Sequence, residues 1–262
     1  MISSPLGTWR KPPLAYVVAE LIFSPHYGIK SAIPIIQQFV RDRFPRTVEA
    51  TELVIDPNTP PVAQTIWRLL SVDQTQGIQI GTRSISLHVT SYTNSEVFLQ
   101  QWSEVLAAFE SAHLGAFVER AGVRYLDLVV PSEGHEPKDY LIPELRGLPA
   151  PEGGRTETSM WAAIYSVDSY RVQAKAATPS TPGMILPPDF SALPLLKPAI
   201  WIEAEKRAQD NKALGFIDTD CMQNVQALFD AHQLAVVYAA LRGHVAATFR
   251  SLMSPLAKEE WM

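Results

Sequence analysis

The sequence predicts an α+β fold in which a β-α-β4-α unit occurs twice, giving a mainly antiparallel, curved sheet with its helices on one face. Three observations predict it. Residues 85–91 alternate apolar Ile85, Leu87 and Val89 with polar Ser86, His88 and Thr90, the period of an antiparallel strand buried on one side. Residues 31–44 and 95–112 carry apolar side chains at helical spacing, on a single stripe. The order of elements read over the first part of the chain then starts again after residue 114.

Each element follows from local composition. Residues 1–13, with Pro5, Gly7, Pro12 and Pro13, form an N-terminal arm. Residues 14–23, rich in Val, Ile and Tyr, read as a buried strand that Ser24-Pro25 ends. In the first helix Ile33, Ile36, Val40 and Phe44 form the stripe, Pro34 is expected in the first turn, where a missing N–H costs little, and Pro45 stops the helix. Strands are expected at 48–55, 64–72, 77–81 and 85–91, the first two joined by a turn at Pro57, Pro60 and Pro61. Asn94 or Ser95 caps the second helix, and Phe98, Trp102, Val105, Leu106 and Phe109 form its stripe.

The first unit therefore spans 14–114 and the second 115–262, packed as one continuous domain. In the second unit a strand is expected at 123–130, a short helix at 140–148 interrupted by Pro143, and a hairpin of 158–167 with 170–178 around Asp168-Ser169. A strand at 200–207 and a helix from Asp220 to about Leu252, bent near His232, complete it. Between the hairpin and that strand, residues 179–198 hold six prolines, with Met184, Ile185, Leu186, Phe190, Leu195 and Leu196 among them. Proline cannot donate to a sheet ladder, so this insert is a long loop, and its large apolar side chains need a surface to cover.

Composition bounds the function. The net charge is −5 and no basic run exceeds two residues, so the basic stripe of a nucleic-acid binder is missing and nucleic acid is not an expected partner. The single cysteine, Cys221, forms no intrachain disulfide and fits a reducing compartment; it reads as a half-buried residue at a helix start. The apolar run 14–23 is broken by Glu20, with no cleavage site after it, and nothing approaches the roughly 18 apolar residues of a membrane helix. A cytoplasmic protein without a membrane segment is expected.

Few residues form a chemical pattern. Glu203 and Glu205, two apart in a predicted strand, project from one face about 6.5–7 Å apart, beside Trp201. Such a pair suits acid–base work or a metal, but it equally forms a solvated face paired with Lys206 and Arg207. Asp218 and Asp220 flank Thr219; Asp220 with Gln223 three residues on reads as a helix cap. Glu133, His135, Glu136 and Asp139 match no ligand spacing, and His232 and His244 read as packing histidines. Phosphate-loop, dinucleotide, nucleophile-elbow, zincin and C-x-x-C motifs do not occur, so no catalytic residue, cofactor or metal site is expected.

Four stretches together resemble one family: Pro13 through Glu20 to Phe23-Ser24-Pro25; Trp102 followed by Val123-Arg124-Tyr125-Leu126-Asp127; Gly215-Phe216-Ile217-Asp218-Thr219-Asp220; and His244 to Phe249 with Trp261. They are similar to a sporadically distributed, uncharacterised prokaryotic family of about this length, over nearly the whole chain. Asp127 stands where that family commonly has a residue such as Asn. The resemblance brings no activity, cofactor or catalytic residue. Its patchy occurrence implies a setting such as an antitoxin, immunity protein or defence component.

The β-α-β4-α order resembles the unit of the TATA-binding-protein type, and two such units imply a saddle. The expected function is a non-enzymatic protein-binding module that neutralises or escorts a partner protein. Met184, Ile185, Leu186, Phe190, Leu195, Trp201, Glu203 and Glu205 are the expected partner-binding residues, and a homo-oligomer is compatible with this reading. One alternative is a SecB-like chaperone for unfolded chains. Another is an enzyme or small-molecule binder using the Trp201, Glu203 and Glu205 face.

Overall fold

The computed structural model describes residues 12–56, 59–181, 183–184, 187 and 213–262. In chain order these form β1 (Leu14–Phe23), α1 (Ile29–Val40), β2 (Arg46–Asp56), β3 (Thr59–Leu70), β4 (Gln76–Ile80), β5 (Ser84–Val89), α2 (Ser95–Glu110) and β6 (Phe117–Val129). Two 3-10 turns follow, Pro137–Tyr140 and Pro143–Leu145, then β7 (Thr158–Val167), β8 (Tyr170–Pro179), β9 (Gly183–Met184), β10 (Ala213–Leu228), α3 (Ala231–Leu252) and α4 (Pro255–Trp261).

The strands join in the order β2-β3-β4-β5-β1-β6-β10-β8-β7. Every pairing along that path is antiparallel; β9 adds a short parallel contact to β10. The expected mainly antiparallel α+β architecture is therefore present. Strand β1 pairs with β6 at the middle, Val17 opposite Tyr125 and Ala19 opposite Val123.

Alternation assigns the two faces. Val17, Ala19, Leu21 and Phe23 of β1, Ile85, Leu87 and Val89 of β5, and Ala121 and Val123 of β6 point to the main core. There they meet Ile33, Ile36 and Val40 of α1, Phe98, Trp102 and Phe109 of α2, and Leu234, Tyr238, Leu241 and Val245 of α3. The three helices thus lie on one side of the sheet, as the one-sided stripes required. Trp102 packs edge-on to Tyr238, ring centroids 5.1 Å apart. A second core gathers Val129, Ile217 and Ala174 with Tyr140, Phe249, Leu252 and Trp261, so α4 and the 3-10 turns close the far end. A third cluster, Tyr16, Leu70, Leu126, Leu128, Ala177 and Phe216, sits on the opposite face and contains no helical residue.

Several expectations are corrected. The helix expected from Asp220 to about Leu252 begins only at Ala231 and ends at Leu252, and its expected first part is the second half of β10, which runs to Leu228. Leu214 through Thr219 are buried on both faces, which erases the two-residue alternation, and Asp220-x-x-Gln223 mimics a capping box. The actual cap repeats that spacing ten residues later: Asp230 Oδ1 accepts from the Gln233 backbone N–H at 2.9 Å. Cys221, expected at a helix start, lies mid-strand and fully buried in the main core. The expected helix 140–148 is instead the pair of 3-10 turns, each opened by a proline.

Pro60 and Pro61 lie inside β3 rather than in a turn. There β3 pairs with β2 alone, since β4 pairs only from Trp67 onward, so one side of the backbone needs no donor. Helix α1 begins at Ile29, so Pro34 lies inside it; its position is exposed, where water can reach the carbonyl it leaves unpaired. Asn94 caps α2 as expected, its Oδ1 accepting from the Val97 N–H at 2.9 Å. The strand expected at 200–207 lies outside the described residues.

Candidate functional site

Two features stand away from the helices: a polar seam across the other face of the sheet and the edge strand β7. The seam is set by register. Val18 stands opposite both His88 and Arg124, Arg124 opposite Asp220, and Asp220 opposite Gln173; one step along, Asp218 stands opposite Lys175. The same parity carries Tyr16 and Glu20 on β1, Ser86 on β5 and Arg120 on β6.

Arg124 grips Asp218 with both prongs, Nε to Oδ1 and Nη2 to Oδ2, each 2.7 Å. Lys175 Nζ stands 3.9 Å from the same carboxylate, whose side chain is 2% exposed. Burial pushes Asp220 up to about 6, against the pull of Arg124, with Asp218 and Glu20 adding to the rise. Burial also raises Glu20, opposed by Arg120. His88 lies between Tyr16 Oη, 2.7 Å from Nδ1, and Ser86 Oγ, 2.8 Å from Nε2. Burial, followed by the charge of Arg68, lowers it to about 4, so it is a neutral ring at pH 7.

Chemically this seam is a satisfied network. Its carboxylates do not converge into a metal cage: among the described residues no group of three His, Cys, Asp or Glu side chains has that geometry. Asp218 is committed to Arg124, and His88 has a partner on each nitrogen.

The β7 edge is of another kind. Among the described residues β7 pairs with β8 only, over Thr158 to Val167. The strand TSMWAAIYSV holds no charge and no proline. Met160 is 69% exposed and Ile164 54%, while Trp161 turns to the second core. At the opposite edge, β2 carries the exposed charges Arg46 and Glu49, of the kind that ordinarily blunts a sheet edge.

Of the expected partner-binding residues, Met184 falls in β9, in register with Leu214. Ile185, Leu186, Phe190, Leu195, Trp201, Glu203 and Glu205 lie outside the described residues. The hairpin containing β7 follows from the sequence, but its place at the sheet edge does not. The available signal is its charge-free run ending at Asp168-Ser169. No protein-family model matches this chain, and no curated protein proved similar to it.

Proposed function

We propose that the protein is a non-enzymatic protein-binding module that takes an extended segment of a partner protein as an added strand along β7. The observation that carries this reading is the long, uncharged, partly apolar strand β7, paired on one side only among the described residues, at the other end of the sheet from a charged β2. An open row of backbone donors and acceptors gives affinity, and alternate side chains such as Met160 and Ile164 give selectivity.

The sheet order supports the finer fold reading. Outward from β1 run β5, β4, β3 and β2; outward from β6 run β10, β8 and β7. This mirrored order favours two TATA-binding-protein-like units in tandem, with the partner strand in the position beside β7 that β2 occupies in the first unit. An antitoxin, immunity or defence role, in which the bound segment belongs to the protein being neutralised, is the setting the family resemblance suggests.

The test uses ten-residue peptides displayed on phage and selected against the whole chain. Enriched peptides are expected to alternate apolar residues, to protect β7 amides from hydrogen exchange, and to bind at least tenfold more weakly to a Met160→Lys/Ile164→Lys variant. Both positions are exposed, so the fold tolerates the change. Absence of enrichment, or peptides that leave β7 unprotected, would overturn the proposal.

A further inference from the structure

The helix-covered side of the sheet holds a pocket that the protein-binding reading does not use. It has a volume of about 140 Å³ and lies between the start of α2, the middle of β6, the start of β1 and the second half of α3. Its polar lining includes Asp127, Tyr92, Tyr125, Arg242 and Arg250; Leu14 and Phe249 are among its apolar walls.

Asp127 is its least ordinary member. The residue is 3% exposed, and its Oδ2 is buried without a hydrogen-bond partner among the described residues. Buried polar atoms are nearly always paired, and an unpaired carboxyl oxygen is a standing destabilisation that a ligand's hydrogen-bonding edge would remove. Burial, and then the neighbouring charge of Asp218, holds the Asp127 carboxyl well above the usual carboxylate range. Its unpartnered Oδ2 is therefore placed to share a hydrogen bond with a ligand's hydroxyl.

The other charges in the lining are positive. Arg242 reaches from α3 to the first turn of α2, Nη2 donating to Ser95 Oγ at 2.7 Å, and the N-terminal end of that 16-residue helix adds its partial positive charge. The rings of Tyr92 and Tyr125, edge to face at 5.9 Å, also line the pocket and give it aromatic walls, and both feel the charges of Arg242 and Asp127. An apolar cavity of about 150 Å³ holds one benzene ring, so this pocket has room for a single ring and little more.

We propose that this pocket binds a planar organic acid one ring in size, its carboxylate on Arg242 and a hydroxyl-type substituent on Asp127. The arginine selects the anion, the tyrosine walls select a flat ring, and the buried carboxyl selects a hydroxyl or similar group. The site is independent of β7, so a small acid and a partner strand are separate ligands of one chain.

Isothermal titration of the full chain with 4-hydroxybenzoate, benzoate and benzamidine tests this. The hydroxy acid is expected to bind one to one, benzoate about tenfold more weakly for want of the hydrogen bond to Asp127, and the cationic benzamidine not at all. Asp127→Leu is expected to bring the two acids to equal affinity. Arg242→Met, a change at a half-buried helical position, is expected to weaken both acids at least tenfold, and it keeps the test decisive even where Asp127→Leu does not fold. The proposal is overturned if neither acid binds saturably, if benzamidine binds as well as the acids, if Asp127→Leu leaves their ratio unchanged, or if Arg242→Met leaves both affinities unchanged.

Discussion

Arg124 is the residue on which the polar seam depends. It neutralises the buried Asp218 carboxylate by a two-point grip, and losing one partner of such a pair leaves a buried charge behind. Arg124→Met is expected to lower the unfolding free energy by about 3–5 kcal/mol, measured by urea denaturation, and Arg124→Met/Asp218→Leu to regain most of it. A single variant that loses under about 1 kcal/mol would refute the account. Two neighbours titrate with opposite signs. The folded pKa of Asp220, about 6, lies above its ordinary value of 3.8, so its contribution to stability is complete below about pH 4 and is lost as pH rises through 6. The folded pKa of His88, about 4, lies below its ordinary 6.5, so its contribution is present above 6.5 and is lost as pH falls toward 4. Across that window the two offset each other in the native chain. Only a difference against a variant isolates one of them: Asp220→Asn is expected to gain on the native chain by up to about 3 kcal/mol between pH 4 and pH 7. No change in that difference with pH would count against a buried, strained Asp220.

At the scale of the element, β10 decides most of the architecture, since it ties the central strand β6 to the β8–β7 hairpin. Its entry is tight: a Cβ on Gly215 would stand 2.7 Å from the Ala177 carbonyl oxygen and 2.9 Å from Pro137 Cβ. Backbone cannot yield as a flexible side chain does, so Gly215→Ala is expected to cost about 1–3 kcal/mol and to loosen the β10–β8 ladder first, visible as faster amide exchange at Phe216 to Thr219. An unchanged midpoint and exchange pattern would contradict it. This strand is also the least legible element of the sequence. Strand β5 is legible because polar Ser86 and His88 alternate with apolar Ile85, Leu87 and Val89, although all five are buried, and α2 from its stripe and its Asn94 cap. Strand β10 is not, because burial on both faces replaces alternation with a continuous apolar run that a helix could equally present. The β7 edge is half legible. Its strand character and lack of charge are local, whereas its outermost place in the sheet is fixed by pairings of β10 with β6 and β8 that no local pattern encodes. The Asp127 pocket is the hardest to foresee, since its lining comes from both ends of the chain and from between them, and Asp127 alone looks like a mild departure within an apolar strand.

For the molecule as a whole, α3 is the element that makes two cores behave as one. Its first half packs Leu234, Tyr238, Leu241 and Val245 into the main core, and its second half packs Phe249 and Leu252 into the core closed by α4. Calorimetry is therefore expected to give a single transition, and two resolved transitions would show that the halves melt separately. Trp261 stacks on Tyr140 at 5.2 Å, while Tyr140 Oη donates to Glu260 at 2.6 Å, so Trp261→Ala is expected to cost about 3–5 kcal/mol of that shared stability. The strand order carries a consequence for synthesis. Strand β6 joins the sheet of β1 to β5 on its β1 side as soon as it is made, but its other edge waits for β10, which begins about 80 residues later; at roughly 5–20 residues per second the ribosome needs about 4–16 s to supply it. During that interval the nascent chain presents the bare flank of its central strand, and a chaperone that recognises unpaired apolar strands has its best opportunity there, before the chain is finished.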